Sequence, residues 1–123
     1  SFFKEDISNT PSYVQKAVLY LLENFRNGVT LESAAAYVGV SASYLSDVFH
    51  KYMEITFKSY LNNLQYDYAV RLLSFSDMNV QEICYESGFN DYANFTRRFK
   101  NRYNMTPRKY RETRQNKKIN SSV

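Results

Sequence analysis

The chain has 123 residues, 44% of them hydrophobic and 23% charged, which is enough for one compact region with a core or for two small subdomains. Three Gly and two Pro leave few points where a helix must break, and no run of about 18 apolar residues is present to span a bilayer. A single cysteine excludes an internal disulfide, and the N-terminus lacks the pattern of a secretory signal, so we expect a cytoplasmic protein.

The charge of the chain is divided unequally along its length. Residues 1–90 carry six Lys/Arg and ten Asp/Glu, a net charge of −4, whereas residues 91–123 carry ten and two, a net charge of +8. A basic segment attracts polyanions, and neutralised phosphates dominate non-specific affinity for nucleic acids. A solvated basic surface is the alternative interpretation of the same charge run.

Seven helices are predicted, because apolar residues recur at spacings of three and four. Residues of N-cap type precede most of them: Thr10, Thr30, Ser41, Thr56, Asn79 and Thr106. In the first three helices the expected inward residues are Val14, Ala17, Val18, Leu21, Leu22, Phe25, Leu31, Ala34, Ala35, Val38, Leu45, Val48, Phe49 and Tyr52. Gly28 and Gly39 are expected to end the first two.

The fourth helix is predicted to be the longest and to reach about Phe75. Inward residues of the fourth, fifth and sixth helices are Phe57, Tyr60, Leu61, Leu64, Tyr68, Leu72, Leu73, Val80, Ile83, Cys84, Phe95, Phe99 and Tyr103. The sixth begins at about Asp91, and a short seventh runs from Pro107 through Tyr110. From Gln115 onward the sequence is polar and non-periodic, so we expect disorder there.

One stretch of the sequence occurs twice. Residues 39–60 recur as residues 88–110, with one extra residue in the second turn. Phe49 pairs with Phe99, Thr56 with Thr106 and Tyr60 with Tyr110, all at an offset of 50. Each copy combines a short helix, a turn containing Gly and a longer helix, which is the helix-turn-helix arrangement whose second helix enters the major groove of DNA.

Each copy also carries a motif. In the first copy it is Gly39-Val40-Ser41, Tyr44-Leu45-Ser46 and Phe49-His50-Lys51. In the second it is Ile83-Cys84, Gly88-Phe89, Asp91, Phe95, Arg97, Phe99-Lys100, Thr106-Pro107 and Tyr110-Arg111. With these motifs, residues 31–110 resemble the DNA-binding region of AraC/XylS-type bacterial transcription regulators.

The resemblance implies an all-α fold of about seven helices, in which a long linker helix joins two helix-turn-helix subdomains and holds both recognition helices on one face. We expect an N-terminal helix and the first subdomain in residues 1–54 and the linker helix in 55–75. The second subdomain is expected in 76–114 and a disordered basic and polar tail in 115–123.

Four residues depart from the family pattern. Glu54 and Asn104 stand where family members usually place Gly at the end of each recognition helix. Asn tolerates the left-handed conformation that such a Gly adopts, but Glu is strained by it, so the first recognition helix either ends differently or holds Glu54 in a strained conformation. Gln65 replaces a frequent basic residue of the linker helix, and Cys84 replaces a usual Ala.

Removing the inward stripe from the third and sixth helices leaves outward residues that match the family's base-facing positions. They are Ser43, Ser46, Asp47, His50, Tyr92, Ala93, Asn94, Thr96, Arg97 and Lys100. Arg97 is the strongest candidate, since a guanidinium can bind guanine O6 and N7 together. An ion pair with Asp91 or Glu86, or a plain surface Arg, is the alternative. Asn94 could pair with adenine. Ser43, Ser46 and Thr96 could contact bases or phosphates, or be plain surface residues. Asp47 could accept from cytosine N4, or could repel wrong sites or orient a neighbouring side chain.

Phosphate contacts are expected from basic side chains and from the starts of helices. The candidates are Thr30, Ser41, Lys51, Asn79, Arg98, Arg102, Arg108 and Lys109. Such contacts set the register and the salt dependence of binding without reading sequence.

No set of residues suited to catalysis or to metal binding is evident in the sequence. His50 is the only histidine and Cys84 lies on the apolar stripe of another helix, so we expect no metal site and a small core role for Cys84. Neither a phosphate loop nor a nucleophile elbow is present, which predicts no enzyme activity and no cofactor. Six aromatic residues at helical spacing are interpreted as packing: Tyr52, Tyr60, Phe95, Phe99, Tyr103 and Tyr110.

The resemblance implies that the parent protein is a bacterial transcription regulator, in this family more often an activator, that contacts promoter DNA and RNA polymerase. We expect this chain to bind duplex DNA at an asymmetric bipartite site with halves about 34 Å apart. The lack of a long apolar run predicts no membrane contact. Because the chain begins at Ser1 without an initiator Met, we expect a C-terminal fragment of a parent protein with an N-terminal sensing or dimerisation domain. The alternatives are a helical protein-interaction module with a basic surface and a general RNA or single-strand binder.

Overall fold

The chain is all helical over the residues that the computed structural model describes, which are Ile7 and 9–121, with side-chain burial through Gln115. Its elements are α1 (Ser12–Asn24), α2 (Leu31–Val38), α3 (Ala42–Met53), α4 (Phe57–Phe75), α5 (Val80–Glu86), α6 (Tyr92–Tyr103) and α7 (Pro107–Ser121). The all-α class and the seven helices predicted from the sequence are confirmed.

The chain divides into two compact units, a first unit Ser1–Asn63 and a second unit Leu64–Val123. Helix α4 runs through this division, so its first turns belong to the first unit and the remainder to the second. The segment 55–75, expected as a separate linker, is therefore shared between the two units.

The core of the first unit is built from α1, α2, α3 and the start of α4. Leu45 and Phe49 of α3 are fully buried. The Phe49 ring meets Phe57 and Tyr60 edge-on, with ring centroids 5.5 and 5.7 Å away. Helices α1 and α2 add small and branched side chains: Val14, Ala17, Val18, Leu21, Ala34 and Ala35. This packing fixes the face of α3 that turns away from solvent.

The core of the second unit is largely aromatic. The Tyr66 ring lies 4.8 Å from Phe89, 6.0 Å from Phe95 and 6.2 Å from Tyr103, measured between centroids. Tyr66 is buried, and burial raises the pKa of its hydroxyl. The apolar stripe predicted for the fourth helix contained Tyr68 and missed Tyr66. Cys84 is fully buried in the same cluster, which confirms its predicted core role.

Polar side chains cap the helices at most of the predicted positions. Thr30, Ser41, Thr56, Asn79 and Thr106 each accept a hydrogen bond from the backbone N–H three residues later. The prediction for Thr10 is wrong. Its hydroxyl donates to the Ile7 carbonyl at 2.7 Å, and Pro11 occupies the N-cap position of α1 without a side-chain bond.

The first copy ends its longer helix in the same way as the second, so the strained one of the two alternatives for Glu54 is the one observed. Glu54 has φ 59° and Asn104 has φ 62°, both left-handed. Each backbone N–H bonds to the carbonyl four residues earlier, His50 for Glu54 and Lys100 for Asn104. The backbone of the two copies therefore follows the same course at this point, and Glu54 adopts the left-handed conformation despite its steric cost.

The C-terminal helix is longer than predicted, and the expectation of disorder from Gln115 is wrong over residues 115–121. Residues 108–123 contain neither Gly nor Pro and are rich in good helix formers. The Arg114 Nε donates to the Tyr110 hydroxyl at 3.0 Å, which ties the exposed part of α7 to a core residue. Residues 122–123 of the predicted tail lie outside the described residues.

One predicted core aromatic is on the surface. Tyr52 is 41% exposed, and the Lys51 ammonium lies 5.4 Å from the centroid of its ring. Met53, the next residue, is half-buried. In the last turn of α3, Met53 therefore takes the inward position predicted for Tyr52. A shift of one residue is compatible with the 3.6-residue period of the helix.

Candidate nucleic-acid interface

Helix α3 presents a row of polar side chains to solvent. Ser41 begins the helix by accepting from the Tyr44 N–H at 3.1 Å, and Leu45 and Phe49 turn the opposite face into the core. The four residues predicted to read bases in the first copy are all exposed: Ser43, Ser46, Asp47 and His50.

Helix α6 presents a smaller outward set than predicted. Asp91 caps it by accepting from the Asn94 N–H at 3.0 Å, while Phe95 and Phe99 are buried. Ala93, Arg97 and Lys100 are exposed and Asn94 is half-buried.

Two predicted readers on α6 have their side chains engaged within the protein. Tyr92 is half-buried and packs against the aromatic core of the second unit. The hydroxyl of Thr96, also half-buried, donates to the Tyr92 carbonyl at 3.0 Å. Both side chains are therefore less available to a ligand than was predicted from the sequence.

Arg97 lies at a shallow surface depression of about 330 Å³ that Asp91, Ala93 and Asn94 also line. Its Nη2 donates a hydrogen bond to Asn94 Oδ1. This contact is neither of the two ion pairs considered from the sequence, and it leaves the exposed guanidinium directed along the face of α6.

Equivalent positions on α3 and α6 differ in charge. At the offset of 50, the carboxylate of Asp47 corresponds to the guanidinium of Arg97, and His50 corresponds to the ammonium of Lys100. The two helices therefore display different chemistry on the same scaffold, and α6 is the one suited to electronegative partners.

Several of the residues predicted to bind DNA phosphates contact other side chains of the protein. The Arg102 guanidinium lies 4.9 Å from the Tyr66 ring centroid and 5.7 Å from that of Tyr103. The Lys109 ammonium is 3.8 Å from a Glu112 carboxylate oxygen, and both side chains are well exposed. Arg108 is exposed and Arg98 half-buried. Side-chain oxygens of Thr30, Ser41 and Asn79 accept the capping bonds described above, and all three residues are exposed.

Arg111 positions the second helix-turn-helix, a role that the sequence did not reveal. Its Nε donates to the Leu73 carbonyl at 3.1 Å, and Nη2 donates to the carbonyls of Ser76 at 3.2 Å and Met78 at 2.6 Å. It thereby links α7 to the end of α4 and to the turn before α5. The sole signal was its place in the Tyr110-Arg111 motif.

The thiol of Cys84, the single cysteine of the chain, is not reactive. Burial, together with the negative charge of Asp91, raises the pKa of the Cys84 thiol to about 11, so it is protonated and unreactive near neutral pH. Among residues whose structure is described, no three His, Cys, Asp or Glu side chains group into a metal site. No helix in that part of the chain combines the length and apolar character needed to cross a membrane.

Known proteins resemble this chain in sequence and in fold. A family model described as a helix-turn-helix domain matches residues 34–113. The melibiose operon regulatory protein of Escherichia coli strain K12 is 26% identical over 106 residues, which cover 86% of this chain and 35% of that protein. This chain thus spans about a third of that regulator's length.

Two solved structures extend the comparison. One is the C-terminal domain of AraT, a response regulator from Geobacillus stearothermophilus, with a TM-score of 0.82, 30% identity and coverage of 87% of this chain and 89% of that one. The other is a transcriptional regulator from Chromobacterium violaceum described by its AraC-type DNA-binding domain, with a TM-score of 0.73, 27% identity and coverage of 83% and 91%.

Proposed function

This chain belongs to the AraC-type family of helix-turn-helix DNA-binding domains, and we propose that α3 and α6 read two successive major grooves of one duplex. Family membership makes the chain a DNA-binding domain of a transcription regulator and not an enzyme. The proposal adds an asymmetric bipartite site with halves about 10 base pairs apart, which a single copy of the domain binds without dimer symmetry.

The observation that carries the proposal is that α3 and α6 expose equivalent positions of the repeat. Each helix starts at a side-chain cap and buries two residues four positions apart, which leaves three equivalent pairs outward: Ser43 and Ala93, Asp47 and Arg97, and His50 and Lys100. The proposed base readers are Ser43, Ser46, Asp47, His50, Ala93, Asn94, Arg97 and Lys100. Tyr92 and Thr96 are omitted because packing and a backbone hydrogen bond engage their side chains.

Phosphates of the DNA backbone are proposed to bind beside the two helices. The contacting residues are Thr30, Ser41, Lys51, Asn79, Arg98, Arg102, Arg108 and Lys109. Four of the five basic residues in this set belong to the second unit, and that unit therefore supplies most of the salt-dependent affinity.

The cellular role follows from the family. We propose that the chain acts in the cytoplasm as part of a larger regulator whose remaining segment senses a signal or dimerises. In this role it binds promoter DNA and activates transcription through RNA polymerase. The length of the melibiose regulator, of which this chain spans 35%, supports a larger parent protein.

Selection of bound sequences from a random duplex library, using the purified chain at two salt concentrations, tests the proposal. We expect a bipartite motif whose halves lie about one helical turn apart. A single short motif would contradict the use of both helices. The absence of any enrichment would instead favour the protein-interaction module.

A further inference from the structure

Two side chains on the solvent face of α6 are joined by a hydrogen bond from Arg97 Nη2 to Asn94 Oδ1. We infer that Asn94, grouped above with the proposed base readers, is instead a positioning residue, which holds the Arg97 guanidinium ready to bind O6 and N7 of a guanine and does not itself read an adenine. This inference rests on the proposed function, because it concerns how α6 recognises a base.

The place of Asn94 in α6 frees its side chain for this contact. Asn94 is the third residue of the helix, and its backbone N–H is the one that Asp91 caps. In α2 the third residue is Ser33, whose hydroxyl turns back to accept from the Thr30 N–H at 3.0 Å and closes a capping box. The Asn94 oxygen points the other way, along the helix to Arg97, one turn further on.

The pair is a feature of α6 alone and not a property of the repeat. At the offset of 50, its two positions are occupied in α3 by Tyr44 and Asp47. The Tyr44 hydroxyl lies 3.0 Å from the Tyr13 hydroxyl, and Asp47 carries the opposite charge to Arg97. The shared helix-turn-helix fold therefore does not require the pair. Recognition of one particular base by α6 accounts for its presence there.

Positioning strengthens binding by an arginine, because a free side chain must give up rotamer freedom when it binds. A guanidinium carries five N–H donors, and Asn94 engages one of those on Nη2. The hydrogens of Nη1 and the second hydrogen of Nη2 remain for a bidentate contact. Asn94 sits half-buried in the first turn of α6, so its oxygen is held more firmly than the exposed Arg97 side chain.

A double-mutant cycle on the full chain tests this role, with binding measured by competition against duplexes that vary one base pair at a time. Arg97→Ala should reduce the preference for guanine at one base pair by about tenfold or more. Asn94→Ala should reduce the preference at that same base pair by about threefold, and should change nothing further in a chain that carries Arg97→Ala. Both substitutions place a strong helix former in α6, so the fold is retained.

A conservative variant separates positioning from reading. Asn94→Asp keeps an acceptor oxygen for Arg97 but removes the amide donor that adenine recognition requires. It should retain the guanine preference while binding every duplex more weakly, because the new charge repels phosphates. The matched control is Asn101→Ala, the same truncation about two turns later in α6, which should leave the preference unchanged.

The outcomes distinguish this inference from the proposed function. If Arg97→Ala alters no base preference, the proposed reading by Arg97 fails and the positioning role fails with it. If Arg97→Ala removes the guanine preference but Asn94→Ala acts at another base pair, or adds in full to Arg97→Ala, the proposed function stands and the positioning role is overturned. Loss of the guanine preference in Asn94→Asp would likewise overturn it.

Discussion

Glu54 and Asn104 hold the same left-handed backbone at equivalent points of the repeat, with φ 59° and 62°. Asn adopts this region readily, because its short side chain can bond locally, whereas a longer side chain is strained there by about 1–2 kcal/mol. Since Glu54 ends α3, the strain lies directly beside the proposed DNA surface.

Glu54→Gly is expected to raise the free energy of unfolding by about 0.5–1 kcal/mol, because glycine relieves the strain and part of that gain is lost to its greater freedom in the unfolded chain. Urea unfolding measures the change. Asn104→Gly is the matched control and should give a smaller gain. A lower urea midpoint for Glu54→Gly would contradict the strained conformation.

Cys84 links stability to alkaline pH. Its pKa rises from an ordinary value of about 9 to about 11, first through burial and then through the charge of Asp91. When the pKa of a group is higher in the folded state than in the unfolded state, its contribution to the stability of the fold is complete at pH values below the unfolded-state pKa. The contribution is lost as the pH rises through the folded-state pKa. Titration of the thiol is therefore expected to lower the free energy of unfolding by about 2–3 kcal/mol between pH 9 and pH 11.

Cys84→Ala is expected to flatten the fall in stability between pH 9 and pH 11, relative to the unsubstituted chain. Urea unfolding at several pH values gives both curves. All other residues are the same in both proteins, so the difference between the curves isolates the thiol. Parallel curves over this range would show that Cys84 contributes nothing to the pH dependence.

At the scale of elements, Arg111 joins α7 to the carboxyl end of α4 and to the following turn. Its three hydrogen bonds end on the backbone carbonyls of Leu73, Ser76 and Met78. Carbonyls at the end of a helix have no partner within the helix, and a charged donor satisfies them strongly. One side chain thus fixes where α5, the first helix of the second helix-turn-helix, begins.

Arg111→Ala is expected to lower the free energy of unfolding by about 2–3 kcal/mol, because the carbonyls lose a charged donor. Hydrogen exchange should show the largest loss of protection at the end of α4 and in α5. Arg108→Ala, which truncates an exposed arginine of the same helix, is the control and should change stability little. Equal effects of the two substitutions would argue against the anchoring role.

At the scale of the whole molecule, the positive charge lies in residues 91–123 and the negative charge in residues 1–90. We therefore expect affinity for DNA phosphates to be concentrated in the second unit, since the first unit carries the exposed, acidic Asp47 on α3. Under the proposed function, the second unit is expected to anchor the protein and the first to contribute mainly to the choice of sequence.

Lys109→Ala is expected to weaken binding to specific and random duplexes alike and to reduce the slope of log affinity against log salt by about 1. Fluorescence anisotropy titrations at several salt concentrations measure the slope. Lys16→Ala removes an exposed lysine of α1 in the first unit and should leave the slope unchanged. An unaltered slope for Lys109→Ala would remove this residue from the proposed phosphate contacts.

The sequence by itself determined the seven helices, most of their caps and inward residues such as Phe49 and Phe99, because periodicity and capping depend on residues a few positions apart. It also identified the outward face of α3 and most of that of α6, where Tyr92 and Thr96 are half-buried instead. Only the tertiary structure decided that Tyr66 is the centre of the aromatic core and that Arg111 serves backbone carbonyls. Those contacts join residues distant in the chain, and local propensity carries no information about them.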